Sequence, residues 1–286
     1  MATLYVVATP IGNLGDMTPR AIDTLKQVAL IAAEDTRVTQ RLLNAFDIHT
    51  PLTSYHAHNE RSKSEWLVER MCNEDIDIAI TTDAGTPCIS DPGSVIVKAA
   101  TEAGIEVIAI AGPSAMAATL SVSGFTVCEF GFVGFLPRQK KELTEKLYDI
   151  AKRLPIAVVH ESPHRVINLM EIIASILPNT EVSASCDLTK KHELTLRGNV
   201  TAVLEELKNN PKANKGEYCI ALCFDRVDLP VEKNINDVVS LESQLVEKML
   251  NGLSLRDAMT ELISEGHRKN AVYAASLQLK ALKELL

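Results

Sequence analysis

Five short segments gather ionisable residues, glycine and proline in patterns that suit ligand chemistry. Asp83-Ala-Gly-Thr-Pro-Cys-Ile-Ser-Asp-Pro-Gly93 puts two aspartates, two prolines and two glycines directly behind an apolar run. Glycine lets a backbone approach a ligand closely, proline stiffens the loop, and a carboxylate at that point can hold hydroxyl groups or a cation. His160-Glu-Ser-Pro-His-Arg165 concentrates four ionisable side chains at the end of a valine-rich run, a density that packing alone seldom requires. Asp187-Leu-Thr-Lys-Lys-His-Glu193 gathers charge in the same way. Thr9-Pro-Ile-Gly-Asn-Leu-Gly-Asp16 and Ala111-Gly-Pro-Ser-Ala115 complete the set, with Ser114 able to cap a helix whose free amides face an anion. Each segment alone has a plain structural reading: Asp83, Asp91 and Ser114 as caps, 187–193 as a solvated turn. Their number is the signal.

The elements that must carry these segments follow from periodicity. Thr3 to Ala8 is β-branched and aromatic and predicts a strand, after which Thr18-Pro19 opens a helix with proline in its first turn. Asp77 to Thr82 with a helix from about Gly93, and Glu106 to Ala111 with a helix from Ser114, repeat the unit. Strands alternating with helices predict a mostly parallel sheet covered on both faces, whose ligands bind at the carboxyl ends of the strands. Beyond a break at Gly124-Phe-Thr126, strands are expected at 130–135, 156–160, 182–186 and 218–224, and helices at 139–153, 164–176 and 199–209. Asp225 to Asn236 reads as a linker, and Val238 to Leu250, Leu255 to Ile263 and Ala271 to Leu285 as a helical tail.

Composition narrows the classes. With 286 residues, 46% of them hydrophobic, the chain can bury two cores. Its apolar runs, such as Ile105 to Ala111, fall far short of the ~20 residues of a membrane helix, which points to a cytoplasmic protein without a targeting segment. Of the six cysteines only Cys219 and Cys223 lie close together, alternating with Ile220 and Leu222 as buried strand thiols would, so no metal site is expected. The net charge of −8 requires that any nucleic-acid contact come from a local basic patch. There is no G-x-G-x-x-G behind the first strand, no phosphate loop, no H-E-x-x-H and no G-x-S-x-G, which removes the common nucleotide-binding, metalloprotease and hydrolase readings.

Taken in order, Thr9 to Asp16, Glu34-Asp-Thr-Arg37, Asp83 to Gly93, Gly134-Phe-Leu-Pro137, Glu161-Ser-Pro-His-Arg165, Leu188-Thr-Lys190 and Lys215-Gly-Glu217 closely resemble the ribosomal-RNA-modifying branch of the tetrapyrrole-methylase, or class III, methyltransferases. The match in order and spacing runs along nearly the whole chain. The resemblance implies an α/β fold of two α/β domains, 1–118 and 119–226, with S-adenosylmethionine in the cleft between them, plus a small helix-turn-helix-like tail at 237–286. It implies 2′-O-methylation of a cytidine (1402 in standard ribosomal numbering) in the decoding region of 16S rRNA, by a homodimer acting on the rRNA or the small ribosomal subunit.

Carried over residue by residue, it sets cofactor contacts at Pro10, Ile11, Gly12, Asp83, Ala84, Gly85, Thr86, Pro87, Ser114, Ala115, Glu161 and Leu188. Glu161 is the first candidate for the proton-accepting base and Asp187 the second. RNA contacts are expected from Arg37, Arg41, Arg138, Arg165, Lys190 and Lys191, with Lys140 and Lys141 in reserve. One departure stands at Cys186-Asp187, where such proteins often carry Arg-Glu. Alternatives are a methyltransferase of the same fold acting on a small molecule or a protein, and a non-catalytic RNA-binding protein.

Overall fold

The computed structural model describes residues 2–225 and 240–284, in two compact units, Met1–Leu229 and Pro230–Leu286. The expected linker at 225–236 and the start of the tail at 237 lie almost wholly outside the described residues.

The first unit opens with β1 (Thr3–Val7), α1 (Pro19–Gln27), β2 (Leu30–Ala33), α2 (Thr36–Ala45), β3 (Leu52–Ser54), α3 (Glu60–Glu74), β4 (Ile78–Thr81), α4 (Ser94–Glu102) and β5 (Glu106–Ile110). These strands form one all-parallel sheet in the order β3-β2-β4-β1-β5. β2 and β4 are buried at every residue, as strands of a sheet covered on both faces should be. Alternation sends Leu4, Ile78 and Ile80 toward Leu67, Met71 and Ile96 of α3 and α4. Val7, Ile31 and Ala79 face Leu25 and Leu43 of α1 and α2 on the other side. Because the strands are parallel, the loops behind β1, β2, β4 and β5 all emerge at one edge.

α5 (Ala115–Ser121) leads to β6 (Gly131–Phe135), α6 (Lys140–Arg153), β7 (Ile156–Glu161), α7 (Val166–Ile176), β8 (Glu181–Cys186), β9 (Leu194–Asn199), α8 (Val200–Asn209) and β10 (Tyr218–Cys223). The second sheet runs β6-β7-β10-β8-β9, and only its β6–β7 pair is parallel. The expectation of a mostly parallel sheet therefore holds for the first sheet and not for the second. The reason is β9, an unanticipated strand that returns beside β8 as a hairpin partner, and β10, which inserts antiparallel between β7 and β8. Ala157, Val159, Ile220 and Leu222 face α6, α7 and α8. Ile156, Val158, Cys219 and Ala221 face the opposite way, where Leu120, Leu188 and partly buried Ile11 and Ala115 close over them. The carboxyl edge of the first sheet thus lies against one face of the second.

The second unit comprises α9 (Leu241–Leu250), α10 (Leu255–Ser264) and α11 (Lys269–Glu284). Ser240 and Ser254 cap the first two, and Leu245, Ala258, Leu262, Val272 and Ala275 form their core. No helix among the described residues is long and apolar enough to cross a membrane.

Candidate active site

The loops at the edge of the first sheet are laced to one another. Thr9 N donates to Gly85 O at 2.8 Å, and Gly85 N donates back to Thr9 O at 3.0 Å. The Thr9 hydroxyl donates to Thr82 O at 3.0 Å, and that of Thr86 to Pro113 O at 3.2 Å. Gly85 sits at φ +88°, a conformation that favours glycine. Three loops distant in sequence are held as one surface.

Against that surface the second sheet presents the end of β7 and the loop behind β8. A cavity of about 420 Å³ opens between them. Ile11, Ala84 and Ala115 line it from the first sheet, and Glu161 and Leu188 from the second. These five of the expected cofactor contacts meet in one place. Pro10, Gly12 and Asp83 instead line a neighbouring cavity of about 260 Å³ beside Arg41. Gly85, Thr86, Pro87 and Ser114 line neither cavity; Gly85 and Thr86 hold the loops together, and Ser114 caps α5 by accepting from Ala117 N at 3.4 Å.

The cavity is acidic. Asp91 and Glu161 line it, and burial pushes both carboxyls above their usual range. Glu161 is 3% exposed, and its Oε1 accepts from Ser162 N at 2.7 Å. Its Oε2 lies 3.2 Å from Arg165 Nη2, close enough for charge attraction but without the alignment of a hydrogen bond. That nitrogen donates to the carbonyls of Leu136 and Pro137 at 3.3 and 3.0 Å. A buried carboxylate oxygen is left with unused accepting capacity. Burial also lowers the pKa of His160, so its ring stands neutral near pH 7.

Asp187 is differently placed. Lys190 Nζ donates to it at 2.9 Å and to Glu217 at 3.0 Å. Asp187 and Thr189 adopt φ of +51° and +66° in this turn, and Cys88 adopts +70° in the 83–93 loop. Left-handed backbone at a β-branched threonine is strained and persists only where the surroundings enforce it. A Cβ at Gly216 would come within 2.6 Å of Asp187 Oδ2, which accounts for the glycine in Lys215-Gly-Glu217.

Among the expected RNA contacts, Arg37 is paired with Asp35 at 2.7 Å, Lys190 with two carboxylates, and Arg165 with backbone carbonyls. Arg41, Arg138 and Lys191 are exposed and make no ion pair among the described residues. No group of three or more His, Cys, Asp or Glu side chains among those residues is arranged to hold a metal ion. The single-residue reading missed Asp91, Phe135, His160 and Tyr218 as cavity walls. Asp91, Phe135 and His160 stand inside segments already singled out, 83–93, 134–137 and 160–165, whereas Tyr218 carried no such signal.

The model of the Tetrapyrrole (Corrin/Porphyrin) Methylases matches residues 3–204. The chain belongs to that family. This tetrapyrrole-methylase family member is 40% identical over 266 residues to ribosomal RNA small subunit methyltransferase I of Bacillus subtilis (strain 168), covering 93% of this chain and 86% of that relative. It is 39% identical to the protein of the same name from Synechocystis sp. (strain ATCC 27184 / PCC 6803 / Kazusa), covering 98% and 99%. Two solved structures share its fold at low identity. A uroporphyrin-III-C-methyltransferase from Thermus thermophilus aligns at a TM-score of 0.51 and 15% identity, covering 78% of this chain and 94% of that one. A diphthine synthase aligns at 0.59 and 12%, covering 80% and 92%. The family member is thus of a methyltransferase family, with two sheets and a helical tail.

Proposed function

We propose that the protein transfers the methyl group of S-adenosylmethionine to the ribose 2′-oxygen of a cytidine in the decoding region of 16S rRNA, as a cytoplasmic homodimer acting on the small ribosomal subunit. What carries the reading is that relatives named for small-subunit rRNA methylation align along nearly the whole chain, 98% of it in one case, through every ligand-like loop. In this reading 1–118 and 119–226 are the two α/β domains, and 237–286 is a separate tail.

The cleft residues fit the cofactor. The apolar walls Ile11, Ala84, Ala115 and Leu188 suit an adenosine and the methylene part of the methionyl chain, and the Asp91 carboxylate suits the cationic sulfonium and ammonium groups. Bound there, S-adenosylmethionine supplies an electrophilic methyl group. The chain's own task is largely positioning, because a sulfonium methyl needs an aligned nucleophile more than further activation. Ile11, Ala84 and Ala115 face the cofactor from the first sheet, each carried on one of the 9–16, 83–93 and 111–115 loops. Glu161 accepts the ribose hydroxyl proton, and its burial-raised pKa makes it a better base near neutrality than an exposed carboxylate. Asp187, neutralised by Lys190, shapes the loop that carries Leu188.

The test is radiolabelled methyl transfer to small subunits purified from cells that lack this activity, followed by mapping of the labelled nucleotide. Label at a cytidine 2′-oxygen in the decoding region is the expected result; cofactor binding without RNA labelling would move the acceptor to a small molecule or a protein. Asp83 supports the 83–87 loop by accepting from Asp35 N at 3.0 Å. Asp83→Ala is therefore expected to weaken S-adenosylmethionine binding by roughly tenfold, the scale of a charge-assisted hydrogen bond. An unchanged calorimetric affinity would remove Asp83 from the cofactor site.

A further inference from the structure

We infer that Phe135 and the cavity behind it receive the unpaired ribonucleotide that is methylated, its base on the Phe135 ring and its phosphate among Arg138, Lys146 and Arg165; this rests on the RNA reading above. The inference begins with a bulge. Phe132 pairs with Val158 and Phe135 with His160, and the register shifts between Phe132 and Gly134, so Val133 is an extra residue in the strand. In a regular strand Phe132 and Phe135, three residues apart, would point to opposite faces of the sheet; with Val133 bulged out of the pairing they share one. Both rings then meet the His160 imidazole, Phe132 edge-on at 5.1 Å and Phe135 tilted at 5.8 Å. Phe132 and His160 are half-buried at the base of this cluster and Phe135 is open at its tip.

Phe135 is 67% exposed, the most exposed large apolar side chain among the described residues of the first unit. It stands where the cleft cavity meets a second one of about 510 Å³, and Phe135, Glu161 and Ser162 line both. The second cavity adds three cations. Among the described residues Arg138 makes no ion pair and Lys146 pairs only with exposed Asp149, at 3.7 Å, while Arg165 is anchored on backbone carbonyls and lies 3.2 Å from Glu161. An open aromatic face beside a cluster of guanidinium and ammonium groups suits a nucleobase and its phosphate, and single-stranded RNA is recognised through such stacking. A ribose between the two would lie at the shared wall, where Glu161 Oε2 has no hydrogen-bond partner. The cleft side of that wall is the proposed cofactor site.

The experiment uses the full chain and three readouts: anisotropy of a fluorescein-labelled single-stranded oligoribonucleotide, calorimetric affinity for S-adenosylmethionine, and KM and kcat on small ribosomal subunits. Phe135→Ala is expected to weaken oligoribonucleotide binding by about tenfold or more and to raise KM, with cofactor affinity unchanged. Phe135→Trp should restore binding because it restores a stacking face. Arg138→Ala should flatten the salt dependence of binding by about one phosphate contact. Wild-type RNA binding by Phe135→Ala, or an equal loss of cofactor affinity, would overturn the inference, the latter by assigning the ring to the cofactor. If the wild-type protein methylates RNA and Phe135→Ala matches it in every readout, this inference alone is lost. A wild-type protein that neither binds nor methylates RNA sinks the reading beneath it as well.

Discussion

Glu161→Gln is expected to reduce methyl transfer by roughly 100- to 10,000-fold, the range for loss of a positioned general base, while leaving S-adenosylmethionine affinity nearly unchanged. The substitution keeps the shape of the side chain and an acceptor for Ser162 N but removes the charge that draws a proton. Equal losses in turnover and in calorimetric affinity would make Glu161 a binding residue instead. The same variant carries a stability signature with a defined sign. Burial raises the folded-state pKa of Glu161 above its unfolded value, an effect that Ser162 N and Arg165 only partly offset. The stability associated with this carboxyl is therefore fully present below the unfolded pKa, about 4, and is lost as pH rises through the folded value. Glu161→Gln should melt higher than wild type at pH 8, with the advantage vanishing below about pH 4. A variant that melts lower at pH 8 would mean that the Arg165 attraction outweighs desolvation.

Gly216→Ala, in the turn before β10, is expected to be strongly destabilising. Alanine at φ +87° is disfavoured by about 1–2 kcal/mol, and its Cβ would overlap Asp187 Oδ2 at 2.6 Å and Cys186 Sγ at 2.8 Å. Overpacking of that kind costs about 1–3 kcal/mol more. The sum, roughly 2–5 kcal/mol, is a large share of a typical folding stability and corresponds to a fall in Tm of roughly 5–20 °C. Gly104→Ala is the control. It shares the positive φ, +74°, but a Cβ there meets nothing within 4 Å, so only the backbone part should appear. Similar Tm losses for the two variants would show that the contact with Asp187 is unimportant. Where Gly216→Ala still folds, methyl transfer should drop, because the turn that carries Leu188 into the cavity would have to move.

Most of the strands were legible because burial imposes period. β1, β4, β7 and β10 are apolar enough to stand out, and the loops behind β1, β4, β5, β7 and β8 announced themselves by glycine, proline and charge. The elements that were not legible have physical reasons. β2 and β3 span four and three residues, too few for any period to show. α3 is largely polar and buries only Ser64, Leu67 and Met71, so its apolar stripe is thin. β9 ends in Gly198-Asn199, which reads locally as a turn although its backbone pairs with β8 along six residues.

The five strand-end loops, their residue chemistry, the family they resemble and the helical tail were all determined by the sequence by itself. Local propensity and the demands of a ligand on backbone and charge act over a few residues, and such signals survive in one dimension. Only the tertiary structure decided that Ile11, Ala115 and Leu188 share a cavity with Glu161 while Asp83 faces its neighbour. It alone set the two base candidates in different surroundings, burying Glu161 with one oxygen lacking a hydrogen bond 3.2 Å from Arg165, and hydrogen-bonding Asp187 to Lys190. It also turned Phe135 to the open face beside His160, through one extra residue in β6. Desolvation, ion pairing and side-chain direction depend on what other segments bring close, and that is fixed by strand order and register, which residue spacing along the chain does not record.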